Sequence, residues 1–136
     1  MLYALVMPRM PAPLANLIDA INRGDLHTAV GLMAEDIVFV DNRGHRLVGR
    51  EDCIFLVRQL FDSGISYRTV IEDVARTDAD WLLRGRTESD FSELNQRVLW
   101  RARLDGEKVS LWEAHTSGTG GTLIESLARD LSLIHI

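Results

Sequence analysis

Apolar residues recur at helical spacing in three early stretches of this 136-residue chain and at roughly every second position in the later half. Residues 1–11 read as a loose or edge segment that ends at prolines. Pro13 suits a first helical turn, where its missing N–H costs nothing, and Leu14, Leu17, Ile18 and Ile21 then form one stripe. Gly24 is placed to close that helix in a left-handed conformation, and Asp25 to cap a second helix carried by Leu26, Ala29, Val30 and Met33. Residues 37–41, IVFVD, are a strand by composition. Ile37, Phe39 and Asp41 point one way, and Val38 and Val40 the other. Residues 42–49 read as a loop. Arg50 to Phe61 make a third helix, with Glu51 and Asp52 where the helix dipole favours them and Ile54, Val57 and Phe61 as the inner stripe beside Leu60.

After Asp62-Ser63-Gly64 the period shortens to two. Four strands are expected at 66–75, 81–88, 96–104 and 108–116, with a turn at Thr77–Asp80 and a hairpin at Asp105-Gly106. Glycine-rich residues 117–122 end the sheet. Leu123, Leu127 and Leu131 mark a short amphipathic tail over 123–131. Helices first and successive strands afterwards predict an α+β fold with mostly antiparallel pairing, not alternating βαβ units. The whole chain, 1–136, reads as one domain with its core over about 12–117.

Composition narrows the classes. Apolar residues make up 46% of the chain, which argues against disorder. The formal charge is -5 and the 15 Lys and Arg are scattered, so no basic stripe is laid out for nucleic acid. The single cysteine, Cys53, falls in a helical apolar pattern and reads as a structural thiol. No apolar run reaches membrane-span length and no basic leader precedes the first apolar stretch. A cytoplasmic protein without membrane or nucleic-acid partners is expected. No short metal-ligand motif occurs, so neither metal nor cofactor is expected.

The stretch AINRGDLHTAVGLMAEDIVFVDNRGHRLVGRED carries a resemblance. The Asn22–Asp25 turn, the Ala34-Glu35-Asp36 corner, Asp41 at the end of an apolar strand and the Gly49-Arg50-Glu51 helix start resemble the nuclear transport factor 2-like superfamily. Within it they resemble the SnoaL-like group of polyketide cyclases and ketosteroid isomerase relatives. The later strands, closed by KVSLWEAH, are also similar, and the resemblance spans most of 12–117. It implies a cone-shaped barrel, a curved sheet packed on three N-terminal helices with a deep apolar pocket, and a homodimer through the outer face of the sheet. Fold of this kind does not choose the chemistry.

Asp41 matches the catalytic aspartate of the isomerase. Partly desolvated in a pocket, it would be a general base; the other reading is a strand-end Asx turn. The isomerase also needs a tyrosine and a protonated acid as oxyanion donors, and the matching positions here are Leu17 and about Trp100. Leucine has no donor and an indole is a weak substitute, so that mechanism is not expected. Alternation on KVSLWEAH puts Leu111, Glu113 and His115 on one face and Trp112 on the other. The family pattern turns the Glu113 and His115 face to the pocket, where the pair would join Asp41 in proton transfer. The opposite orientation would leave them on the surface. Leu17, Phe39, Phe61, Trp100 and Leu111 would wall the cavity. Arg84, Arg86, Arg101 and Arg103 belong on an outer solvated face opposite acids such as Glu72 and Glu88.

Two functions follow from these residues. One is an isomerase, cyclase or hydrolase that uses Asp41-centred acid–base chemistry on a small hydrophobic molecule. The alternative is a non-catalytic ligand-binding or dimeric interaction domain.

Overall fold

The computed structural model describes residues 9–116. The opening segment through Pro8, the glycine-rich stretch and the tail over 123–131 lie outside the described residues. Three helices, α1 (Ala12–Arg23), α2 (Leu26–Gly31) and α3 (Arg50–Asp62), accompany six strands. These are β1 (Met33–Val40), β2 (Arg46–Val48), β3 (Tyr67–Arg76), β4 (Trp81–Ser89), β5 (Gln96–Asp105) and β6 (Lys108–His115). The sheet order is β2-β1-β6-β5-β4-β3. Every pairing is antiparallel except that of β1 with β6, which is parallel.

The local signals act as the chemistry requires. Pro13 lies in the first turn of α1, and Gly24 closes the helix at φ 72°. Asp25 caps α2: its Oδ1 accepts the Thr28 N–H at 3.1 Å and its Oδ2 the Thr28 hydroxyl at 2.7 Å. Those two bonds, the hydroxyl first, hold the Asp25 carboxyl below its ordinary pKa. Leu14, Leu17 and Ile18 bury the α1 stripe against Leu83, Val98, Trp100 and Ala102 on the inner sheet face. Each such side chain contributes about 2 kcal/mol on removal from water. On α3 the buried residues are Cys53, Leu56, Val57 and Leu60, so the inner stripe is centred one position earlier than the sequence suggests. Phe61 is consequently at the flank of that stripe and half-buried. Residues 46–48, read as loop, instead form β2, paired with β1 across the 41–45 turn.

The expected cone-shaped barrel of a strongly curved sheet is not formed. The sheet is open and uncurled, with β2 at one end and β3 at the other and no hydrogen bonds joining them. Closure would require those end strands to pair. β2 is only three residues long and runs at once into α3 through Gly49. At the far edge a helix side chain takes the place of a further strand. Asn22 of α1 accepts the Thr69 N–H and donates to the Thr69 carbonyl, both at 2.9 Å. The edge is thereby partly satisfied, which also blunts edge-to-edge pairing.

β3 bends at a bulge between Ile71 and Asp73, opposite Gly85 of β4. A Cβ on Gly85 would stand 1.9 Å from the Val70 carbonyl oxygen. Backbone occupies the space that any side chain would need. Gly85→Ala is therefore expected to destabilise the fold by upward of about 2 kcal/mol. Chemical denaturation measures this, and an unchanged midpoint would show that the close approach is not required.

Candidate functional site

A cavity of about 80 Å³ lies between α1, α3 and the inner face of the sheet. Leu17 of α1, Ile37 and Phe39 of β1 and Val57 of α3 supply much of its apolar wall. Cys53, Tyr67, Thr69 and Trp112 are its lining residues with polar side-chain atoms, and no charged side chain lines it among the described residues. Burial, aided by the neighbouring Asp52 charge, pushes the Cys53 thiol up to about 11. It is protonated near neutral pH and unsuited to nucleophilic work. Burial likewise pushes the Tyr67 hydroxyl up to about 12. Part of Tyr67 reaches solvent, and the cavity is not sealed, since Phe39 and Trp112 also keep some exposure.

Asp41 is 4% exposed and does not line this cavity. Its Oδ1 accepts the backbone N–H groups of Arg43 and His45, each at 2.9 Å. Its Oδ2 lies 2.7 Å from His45 Nδ1. The backbone of Asp41 is bonded to the same turn, through His45 O and Gly44 N–H at 3.0 Å. This is the Asx-type arrangement of a strand-end aspartate, extended by a histidine. Next to it, Asn42 Nδ2 donates to the Thr116 hydroxyl at 2.6 Å, tying the turn to the end of β6.

Glu113 and His115 do not meet Asp41. They lie on the outer face of the sheet, where His115 Nε2 is 2.7 Å and Arg101 Nη2 is 3.1 Å from Glu113 Oε1. Leu111 shares that face. The orientation expected from the family pattern is thus reversed, and the cause is a bulge. β5 and β6 pair Leu104 with Val109 and then Arg103 with Leu111, which leaves Ser110 as an extra residue. Val109 is buried on the inner face, and the extra residue sends Leu111, Glu113 and His115 outward while Trp112 turns inward. Trp112 packs on Trp100 with ring centroids 5.6 Å apart.

Of the residues expected to wall the cavity, Leu17 and Phe39 do so. Trp100 is fully buried beneath Trp112, and Phe61 packs beside the helix α3 core without reaching the cavity wall. The arginines are on the outer face and paired with acids. Arg86 bridges Glu72 and Glu88, Arg97 reaches Glu72, and Arg84 pairs with Asp73. Arg103 grips the buried Asp80 through Nε at 2.6 Å and Nη2 at 3.1 Å, which holds the Asp80 carboxyl below its ordinary value. Tyr67 and Thr69 were not singled out from the sequence. Their signal was present as alternate positions on one strand face, Tyr67, Thr69 and Ile71, but nothing local marked that face as the cavity side. No cluster of three or more His, Cys, Asp or Glu side chains suited to a metal occurs among the described residues. No described helix is long and apolar enough to cross a membrane.

If Asp41 organises the turn, Asp41→Asn should lower stability by about 1–2 kcal/mol, because the charged bond to His45 is lost. Thermal and denaturant melts check this. An unaltered melt would mean the turn does not depend on the carboxylate.

A family model described as a SnoaL-like domain matches residues 14–120. No curated protein matches the sequence. Among solved structures the chain is similar to a putative polyketide cyclase from Sinorhizobium meliloti, with TM-score 0.70 and 16% identity over 78% of this chain and 95% of that one. It is also similar to an LEH-like epoxide hydrolase from M. tuberculosis, with TM-score 0.69 and 16% identity over 90% and 91% of the two chains. A third similarity is to the orange carotenoid protein of Anabaena (Nostoc) sp. PCC 7120 binding canthaxanthin. There the TM-score is 0.69 at 13% identity, over 83% of this chain and 38% of that one. These likenesses establish the nuclear transport factor 2-like fold and, at such identities, nothing about chemistry.

Proposed function

The chain belongs to the SnoaL-like domain family, and from that premise we propose that it is a non-catalytic binding domain for a small apolar molecule. The observation that carries this reading is the separation of cavity from acid–base groups. The cavity wall is apolar with uncharged polar atoms, Asp41 is engaged by its own turn, and the Glu113–His115 pair is on the other side of the sheet. Proton transfer needs its donor and acceptor within hydrogen-bond reach of the reacting atoms. Structural relatives include both enzymes and a pigment-binding protein by name, so the family accommodates this role. The competing reading, an isomerase, cyclase or hydrolase centred on Asp41, has the burial of that carboxylate in its favour. It requires Asp41 to leave three hydrogen-bonding contacts before it can act.

Binding to the native state should raise the melting temperature by mass action. For benzene, toluene, cyclohexane or n-hexanol at ten times its Kd, the expected shift is roughly 3–6 °C. Val57→Phe, which fills the cavity from α3, should remove that shift. A shift that survives Val57→Phe, or no shift with any of the four compounds, would count against the cavity as the binding site.

A homodimer through the outer sheet face belongs to the same proposal. Leu99 is 44% exposed on that face. It adjoins the Arg101–Glu113 pair, and such a mixture of apolar and paired charged groups suits a modest interface. Leu99→Arg should shift the mass measured by light scattering from two chains to one. A wild-type mass of one chain would end the dimer reading.

A further inference from the structure

We infer that the cavity takes one unbranched alkyl chain end-on, with the methyl end deep and the polar head left at the mouth. This deepens the binding reading above and rests on it. The shape of the wall carries the inference. Met33 and Phe39 both line the cavity and stand six residues apart on β1, about 20 Å at the rise of a strand. Cys53 and Leu60 line it from α3 and stand seven residues apart, about 10 Å along the helix axis. A sphere of about 80 Å³ would be only about 5 Å across. So small a volume between walls of that length is a slot. A dry cavity that holds benzene has about 150 Å³ in one compact space. With about half that volume drawn out along α3 and β1, the slot is too narrow for a ring or a branched centre.

The slot has a deep end and a mouth. Leu17, Met33, Ile37 and Cys53 are all buried. Ile21, Phe39 and Tyr67 keep some exposure, and all three pack around Leu56 and Leu60. Toward that end run α1 from Leu17 to Ile21, β1 from Ile37 to Phe39 and α3 from Cys53 to Leu60. Three elements thus put the mouth on the same side. No charged side chain lines the slot among the described residues, so a carboxylate or ammonium drawn inside would lose its hydration without compensation. Each methylene, by contrast, gains from leaving water. A chain meets both conditions by burying its hydrocarbon and leaving its head in solvent beside Tyr67.

The test measures dissociation constants on the full chain by calorimetry. From n-butanol to n-hexanol, affinity should rise about fourfold per added methylene. The isomer 3,3-dimethylbutanol has the carbon count and head of n-hexanol but a branched end, and it should bind at least about tenfold more weakly. A smaller loss, or no gain with chain length, overturns the alkyl slot while leaving the binding reading in place. Octanoate should bind within about tenfold of n-octanol, because its charge stays at the mouth. A larger loss would put the head inside and overturn the end-on orientation. Binding of benzene or cyclohexane without binding of the alcohols overturns the slot alone. Failure of the alcohols and of both rings to bind overturns the binding reading and this inference with it.

Discussion

The inward turn of Trp112 onto Trp100 determines which side of the sheet does what. β6 would alternate regularly from Val109 onward were Ser110 not an extra residue against β5. That single bulge lets both Val109 and Trp112 face the helices, three positions apart. The two indoles then stack at 5.6 Å and fill the centre of the inner face. Burying aromatic surface of this size outweighs anything Glu113 and His115 could gain inside, since two ionisable groups would need desolvation there. The same choice of face leaves the cavity lined with uncharged groups.

The open sheet follows from how its ends are used. At one end β2 is cut short by α3, and at the other Asn22 occupies the Thr69 edge. Two helices thus cover the inner face where a closing strand would otherwise be needed. The cavity is what their stripes fail to fill, bounded by Leu17 from α1 and Val57 from α3. Gly85 allows β3 and β4 to approach closely enough for the bent edge to stay attached.

Charge is segregated onto the opposite face. The arginines of β4 and β5 pair with Glu72, Asp73, Asp80, Glu88 and Glu113. Exposed pairs of this kind contribute little each. Arg103 and the buried Asp80 are better placed, because two parallel bonds satisfy a carboxylate held out of water. The network keeps the outer face polar without presenting a single sign of charge, in accord with the mildly acidic composition.

Helix α1 and the start of α2, with the Gly24 and Asp25 punctuation between them, were legible in the sequence, as were the four long strands, the Asp105-Gly106 hairpin and the outward arginines, whereas Met33, read as part of the second helix, opens β1. Each rests on a local rule: helical spacing, a left-handed glycine, a capping carboxylate, period-two alternation, like charges seeking water. The Asp41 turn was also open to local reading, since an aspartate can accept from the N–H two residues further on and form it unaided. Short β2 was hidden because three residues carry too little pattern. The facing of Glu113 and His115 was hidden for a different reason. KVSLWEAH alternates without a break, and a bulge appears only when β6 is laid against β5. The open edges and the parallel β1–β6 pairing share that origin. The sequence by itself determined the longer elements and the family, because those follow from neighbours along the chain. Tertiary structure alone decided which face is inside and where the cavity lies, because those depend on pairings between residues distant in sequence.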